Sequence, residues 1–301
     1  MSPLVAIILL NYNGEEDTIQ CLKSLQKIQY DNYCLIVVDN HSEEPSIAAL
    51  KRAQEKIYFE LIESKENRGF SAGNNIGIVR ALEKKAEYML LLNNDTIVCP
   101  DFLNKLIQAF GEYPHCGIST GTIYYEYDRN KVWYAGGRFN PKTFKAEMLG
   151  YGMKAYDLAS DMEEVTFATG CCMCIRAQML KEIGMLNEKF FLYEEDSEYC
   201  FRAQEKGWKI YYVPQAVIYH KVSASTGKGR KASPTTQYYM VRNRYIFIKE
   251  NAKKCYRKRA YLYSLAMYIY YCMKGYMSIR YVSMGIWDFI KGISGKTTRS
   301  L

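Results

Sequence analysis

Acidic residues are nearly absent from the last third of this chain. Residues 201–301 carry 3 Asp and Glu against 20 Lys and Arg, whereas residues 1–200 carry 29 against 20, so the net charge of +8 belongs to the C-terminal end. Such a region suits an anionic partner. Nothing in it resembles a nucleic-acid-binding module, which leaves a diphosphate or anionic lipid. Long apolar runs are missing too: the uncharged stretch 260–273 (AYLYSLAMYIYYCM) has 14 residues, whereas an ordinary membrane span needs about 20. Neither a GxGxxG fingerprint nor a GxxxxGK[ST] phosphate loop occurs, which disfavours a dinucleotide enzyme or an ATPase. There are only 3 histidines and no internal repeat. No secretory signal precedes the first strand, so the 10 cysteines are expected to be reduced, in a cytosolic compartment. Cys171, Cys172 and Cys174 lack zinc-ligand spacing and read as small apolar residues of a buried strand.

What is present is ample for a globular core, with 301 residues of which 49% are hydrophobic. Uncharged apolar runs at 4–10, 35–38 and 88–92 read as buried parallel strands, with a shorter one at 58–62. Helical periodicity follows the first (Ile19, Leu22, Leu25, Ile28), and a second helix is expected over about 46–56. A fifth strand is expected at 117–125, two strand-like runs around Thr169-Gly170, a short helix over about 177–183, and closing strands at 208–213 and 216–220. Residues 126–162 read as loops and short strands that cover a substrate, and 221–234 as a mobile basic loop. Each Gly- or Asn-rich polar segment falls just after a strand. That is the pattern of an α/β protein whose parallel sheet carries a ligand along one edge.

Four such segments carry chemistry. At 90–96 (LLLNNDT) an apolar strand ends in Asn93, Asn94 and Asp95; extended chain puts Asn93 and Asp95 on one side, able to address one ion or phosphate, although NND is equally good turn chemistry. Asn11, Tyr12 and Asn13 end the first strand and Asp39 the second. A tyrosine against a base and a carboxylate accepting its ring N–H would make a pyrimidine pocket, while helix capping and turn formation are the plainer uses. At 67–77, Asn67, Gly69 and Asn74 open a helix, and this arrangement suits phosphate or ribose. The acidic run 194–198 begins a helix among aromatic residues. Helix-dipole stabilisation explains it, and so does a carboxylate of this run with the raised proton affinity of a general base. His220 closes a strand directly before the basic loop, either as a structural residue or as a ligand facing Asp95.

Eight ordered segments (VAIILLNYNG, LIVVDNHS, ENRGFSAGNNIGI, YMLLLNNDT, FATGCCMCIR, IGMLNEKFFLYEEDSEYCFRAQEKGW, YYVPQAVIYHK and the RNR at 242–244) together resemble bacterial family 2 glycosyltransferases, in the rhamnosyltransferase-like branch of cell-surface polysaccharide synthesis. The resemblance implies a GT-A fold: an α/β architecture with a mixed, mostly parallel central sheet flanked by helices. It also implies a nucleotide-sugar donor (UDP- or dTDP-linked), a saccharide or lipid-linked acceptor, a divalent cation (Mg²⁺ or Mn²⁺) and inversion at the anomeric carbon. Asp39 matches the base-reading carboxylate and Asn93 to Asp95 the DXD position, with Asn94 beside the nucleotide. Asp196 matches the acceptor-activating base of the ED motif, which Glu195 completes, and His220 a histidine that completes the metal site. Here Asn93 stands where an acid is usual, which supplies oxygen but no charge. Lys221, Arg230, Lys231 and Arg242 are candidates for the diphosphate or acceptor. The two other readings are a catalytically silent scaffold and a sugar nucleotidyltransferase, the latter disfavoured by the missing Gly-rich basic N-terminal loop.

Residues 1–250 are expected to form the glycosyltransferase domain and 251–301 a basic, Tyr-rich helical extension. That extension suits the anionic inner face of the cytoplasmic membrane as an interfacial helix, or else packs on the catalytic domain or on a second subunit of a homo-oligomer.

Overall fold

The computed structural model describes residues 2–155, 158, 160–222 and 232–301. Val5 to Leu9 have no polar side chain, and all five are fully shielded in β1 (Val5–Asn11). Covering both faces of such a strand requires helices, and the chain supplies them in alternation: α1 (Glu15–Leu25), β2 (Tyr33–Asp39), α2 (Glu44–Ala53), β3 (Glu60–Glu63), α3 (Gly69–Glu83), β4 (Tyr88–Asn93). These four strands are parallel in the order β4-β1-β2-β3, with α3 packed across β1, β2 and β4. Asn11 lies opposite Asp39, and Leu10 opposite Asn93, so three strands end at one level.

The second half turns the sheet into a mixed one. After β5 (Thr96–Val98) and α4 (Phe102–Glu112) comes β6 (Cys116–Tyr125), then β7 (Val132–Tyr134), a hairpin of β8 (Gly137–Asn140) and β9 (Lys145–Met148), and β10 (Glu163–Val165). Next come β11 (Cys172–Arg176), α5 (Ala177–Ile183), α6 (Glu195–Glu205) and β12 (Lys209–His220). The full order is β10-β12-β6-β11-β4-β1-β2-β3, with β11 antiparallel to both β4 and β6. The two closing strands expected at 208–213 and 216–220 are one strand. Its register against β6 shifts between Val213 and Val217, where Pro214 has no N–H to contribute and a bulge absorbs it. The second helix runs over Glu44–Ala53 rather than about 46–56; it starts earlier because Pro45 sits in its first turn, where proline is favoured.

Cys171, Cys172 and Cys174 are buried in or beside β11, as expected of packing residues. Burial pushes the Cys172 thiol up to about 12 and the other two well above the usual range, so they are inert as nucleophiles.

Three helices close the chain: α7 (Pro234–Asn251), α8 (Lys254–Met273) and α9 (Ile279–Ile290). α7 is buried over most of its length, one face joining Phe144 and Phe190, the other joining Tyr268 and Val282. α9 lies so close to it that a side chain at Gly285 would meet the Tyr238 carbonyl. Among the described residues no helix is long and apolar enough to cross a membrane.

Candidate active site

Where β1, β2 and β4 end together, their polar side chains form one network. Asn11 is fully shielded; its Nδ2 donates to Asp39 Oδ1 (2.8 Å), Ser42 Oγ and Ser46 Oγ, and its Oδ1 accepts from Thr18 Oγ1 (2.9 Å) and the Gly14 N–H. Asn94 Nδ2 donates to the same Thr18 hydroxyl at 2.9 Å. Asp39 is fully enclosed as well: Oδ1 also accepts from Ser42 Oγ at 2.6 Å, and Oδ2 accepts from the Ser42 N–H at 2.8 Å. Three of its roughly four acceptor directions are thereby filled. The expected base-reading carboxylate is thus held by the tight turn that follows β2, with one acceptor direction left open. Tyr12 is 55% exposed and presents a free aromatic ring at the rim. Asn13, at φ +50°, accepts from the Glu43 N–H and does not cap α1.

One strand away, Asp95 meets His220. His220 Nε2 lies 2.9 Å from Asp95 Oδ1, both side chains are largely buried, and the Trp133 ring stands edge-on to the imidazole. The contact follows from topology, since β5 pairs antiparallel with β12 and sets His220 opposite Thr96. His220 Nδ1 is buried without a hydrogen-bond partner, an arrangement that a ligand would relieve. A carboxylate, an imidazole and the Asn93 amide suit Mg²⁺ or Mn²⁺. Among the described residues no three His, Cys, Asp or Glu side chains converge. Asn93 and the oxygens of a bound diphosphate must complete such a shell. The residues fit a cation on those terms.

The acidic run is joined to this tip by two residues of backbone. Asp196 Oδ2 accepts from the Gly170 N–H at 3.2 Å, and the carbonyl of the next residue, Cys171, accepts from the Asn93 N–H at 2.9 Å. Burial pushes the Asp196 carboxyl up from its usual range, against the opposing pull of the Gly170 and Ser197 N–H groups. Burial and the neighbouring Asp196 charge push Glu195 up further, and its Oε2 has no partner. Glu194 is likewise raised by burial, with Arg244 opposing. Directly before these carboxylates, Tyr193 and Glu194 both take left-handed backbone, at φ +70° and +71°, which is costly for side chains of this size. Asn243 holds the bend in place by donating to the Leu192 and Tyr193 carbonyls at 2.8 and 3.1 Å.

Other expected site residues serve the protein itself. Asn67 Oδ1 accepts from Asn40 Nδ2 and the Gly69 N–H, and Asn74 Nδ2 donates to the Phe70 carbonyl. In the first turn of α3 the Phe70 N–H donates to the Phe191 carbonyl at 2.7 Å and is engaged within the protein. Gly69, at φ +83°, is required because a Cβ there would lie 2.1 Å from that carbonyl oxygen. Gly69→Ala is therefore expected to lower stability by about 2–4 kcal/mol in denaturant unfolding, and to loosen the 185–193 loop. Lys221 does not stand free for a diphosphate; its Nζ contacts Asp17 (2.5 Å) and Gln20 (2.7 Å) on α1. Arg242 is fully buried, donating to Tyr238 Oη, Asn243 Oδ1 and the Gly295 carbonyl. Its place is inside the helical layer. Arg230 and Lys231 lie outside the described residues.

Sequence reasoning missed Thr18, Ser42 and Ser46, which orient Asn11 and Asp39, and Gly170, which holds Asp196. Helical and turn positions gave no signal for the first three. Asn40 and Asn75 were missed as well; Asn75 ties α3 to the 185–193 loop through Leu186 and Glu188.

The model of the family described as "Glycosyl transferase family 2" matches residues 6–184. Low-salt glycan biosynthesis hexosyltransferase Agl10 of Haloferax volcanii is 26% identical, over 97% of this chain and 92% of its own. The dTDP-rhamnosyl transferase RfbF of Shigella flexneri is 24% identical, over 83% of this chain and 82% of its own. Among solved structures, the mannosyltransferase PcManGT of Pyrobaculum calidifontis, in complex with GDP-Man and Mn²⁺, superposes with a TM-score of 0.59 at 15% identity, over 96% of this chain and 86% of that one. This likeness shows the fold, a GT-A architecture, as the sequence led us to expect.

Proposed function

Because this chain belongs to glycosyl transferase family 2, we propose that it transfers a sugar, with inversion, from a UDP- or dTDP-sugar to a hydroxyl of a saccharide or lipid-linked saccharide during cell-surface polysaccharide synthesis. The dTDP-rhamnosyl transferase among its relatives favours a rhamnosyl donor. One observation supports the reading above the others: the Gly170-Cys171 backbone links Asp196, a carboxylate whose proton affinity burial raises, to Asn93 at the tip of β4 through two hydrogen bonds.

In this mechanism Tyr12 lies against the base, and the Asn11–Asp39–Ser42 wall bounds it. Asp95, His220 and Asn93 would hold a divalent cation, whose chemistry when bound would be to neutralise charge growing on the departing nucleoside diphosphate. Asp196 accepts the proton of the attacking acceptor hydroxyl. Attack from the face opposite the leaving group inverts the anomeric carbon in one displacement, so no enzyme nucleophile is required. Burial raises Glu195 further still and favours its neutral form, which leaves Asp196 as the ionised base of the pair. We take residues 1–250 as the catalytic unit and 251–301 as an extension of it, working on the cytoplasmic side, where nucleotide sugars are supplied.

The experiment is a panel of UDP- and dTDP-sugars, each incubated with the protein and Mg²⁺ or Mn²⁺, with release of the nucleoside diphosphate measured. Metal-dependent turnover of one donor, fastest for dTDP-rhamnose, is expected. Absence of both turnover and metal-dependent nucleotide binding would leave a silent scaffold.

A further inference from the structure

The C-terminal helices present a face that the catalytic reading does not use. α8 buries Ala260, Ser264 and Tyr268 against α7, at the i, i+4, i+8 spacing of one helical face. Its other face is apolar and open: Leu262, Leu265, Ile269 and Met273 are 67, 40, 52 and 81% exposed. These four repeat at helical spacing, so they form one continuous stripe. Ile279 and Trp287 are exposed on α9, and Lys291 rests against the Trp287 ring at 4.9 Å. A soluble protein rarely leaves so much contiguous apolar surface without a partner.

Charge decides which partner. Residues 251–301 contain 10 Lys and Arg and a single acid, Asp288. Asp288 is buried and gripped by Arg299 at 2.7 Å, so it contributes no negative charge to the surface. Lys258 and Arg259 stand at one end of the stripe and Lys274 at the other, all exposed. A second copy docking through this face would set the same cations against themselves, since a two-fold interface pairs a patch with itself. An anionic bilayer complements both features: apolar side chains enter the boundary between headgroups and acyl chains, Lys and Arg meet the lipid phosphates, and Trp and Tyr occupy the interface.

We propose that α8 and α9 form an anionic-lipid docking surface, with α8 lying flat on the bilayer and its Leu262–Met273 stripe inserted. The same helix reaches the acidic loop on its inner side: Ser264 Oγ accepts from Arg244, whose guanidinium lies 3.8 Å from Glu194, two residues before Asp196. Docking therefore brings the acidic loop close to the membrane surface.

Co-sedimentation of the full chain with phosphatidylcholine vesicles, with and without phosphatidylglycerol, tests this directly. Binding is expected only with the anionic lipid, weakening as salt rises. The double variant Leu262→Asp/Ile269→Asp changes only exposed side chains and should reduce binding about tenfold or more, with far-ultraviolet circular dichroism unchanged. Full chain remaining in the supernatant, or equal binding by the variant, overturns the proposal. So does a dimer that the variant dissolves without any vesicle binding, which would make a second copy the occupant. The readout is lipid binding, so failure here is distinguishable from failure of the assigned base or cation residues.

Discussion

Asp196→Asn is expected to lower the transfer rate about 10³-fold while leaving donor affinity within about twofold. The amide keeps the size of the carboxylate and, with one acceptor oxygen, keeps one of the two N–H bonds that now hold Asp196, from Gly170 to Oδ2 and from Ser197 to Oδ1. What it loses is the ability to take a proton. The pH dependence sharpens the test. Only the ionised form is a base, and burial raises the Asp196 carboxyl above its usual range, so activity falls as pH drops through that raised value, earlier than for a solvent-exposed aspartate. Stability moves the other way. A buried carboxyl with a raised folded-state value favours the protonated native form, so this group stabilises the fold at low pH and loses that contribution as pH rises. An acid limb in the rate profile without loss of folded signal therefore separates catalysis from unfolding. Full transfer by Asp196→Asn would remove Asp196 as the base.

Asp95→Ala is expected to reduce kcat about 10³-fold and to abolish Mn²⁺-dependent nucleotide binding. Among the described residues no group of three His, Cys, Asp or Glu side chains forms here, so Asp95 supplies the negative charge at this tip and the His220 imidazole supplies none. Losing it leaves an imidazole and an amide, too little to hold a divalent ion outside the donor complex. Asn93→Asp makes the complementary change. A second carboxylate at Asn93, where β4 enters the two-residue turn that carries Asp95, should tighten Mn²⁺ binding about tenfold, as read by calorimetry with the nucleoside diphosphate present. Unchanged Mn²⁺ affinity in both variants would place the cation elsewhere.

Much of this site is legible in the chain because parallel strands announce themselves. Val5–Leu9 and Met89–Leu92 are apolar without interruption since both sheet faces are covered, and the polar residues that follow must lie at the ligand edge. Hence Asn11, Asp39 and Asn93 could be placed together from sequence, and the register of β1 with β2 and β4 puts them there; Asp95 lies in the turn between β4 and β5, not in the extended chain expected. The His220–Asp95 pairing was legible as an ordered motif, although its geometry comes from the antiparallel β5–β12 contact.

The sequence by itself determined which strands form the core and which strand ends carry polar chemistry, because burial of an apolar run is a property of the run. Tertiary structure alone decided which of the many Asn, Lys and Arg side chains remain available. Asn67 bonds Asn40, Lys221 bonds Asp17 on a helix some two hundred residues earlier, and Arg242 bonds the Gly295 carbonyl. A donor that can serve a phosphate serves a carbonyl or carboxylate equally well, and local sequence does not show what lies within 3 Å of it. The same holds for α8, whose 3.6-residue period fits either face. Only its packing on α7 turned Ser264 and Tyr268 inward and left Leu262, Leu265, Ile269 and Met273 outside.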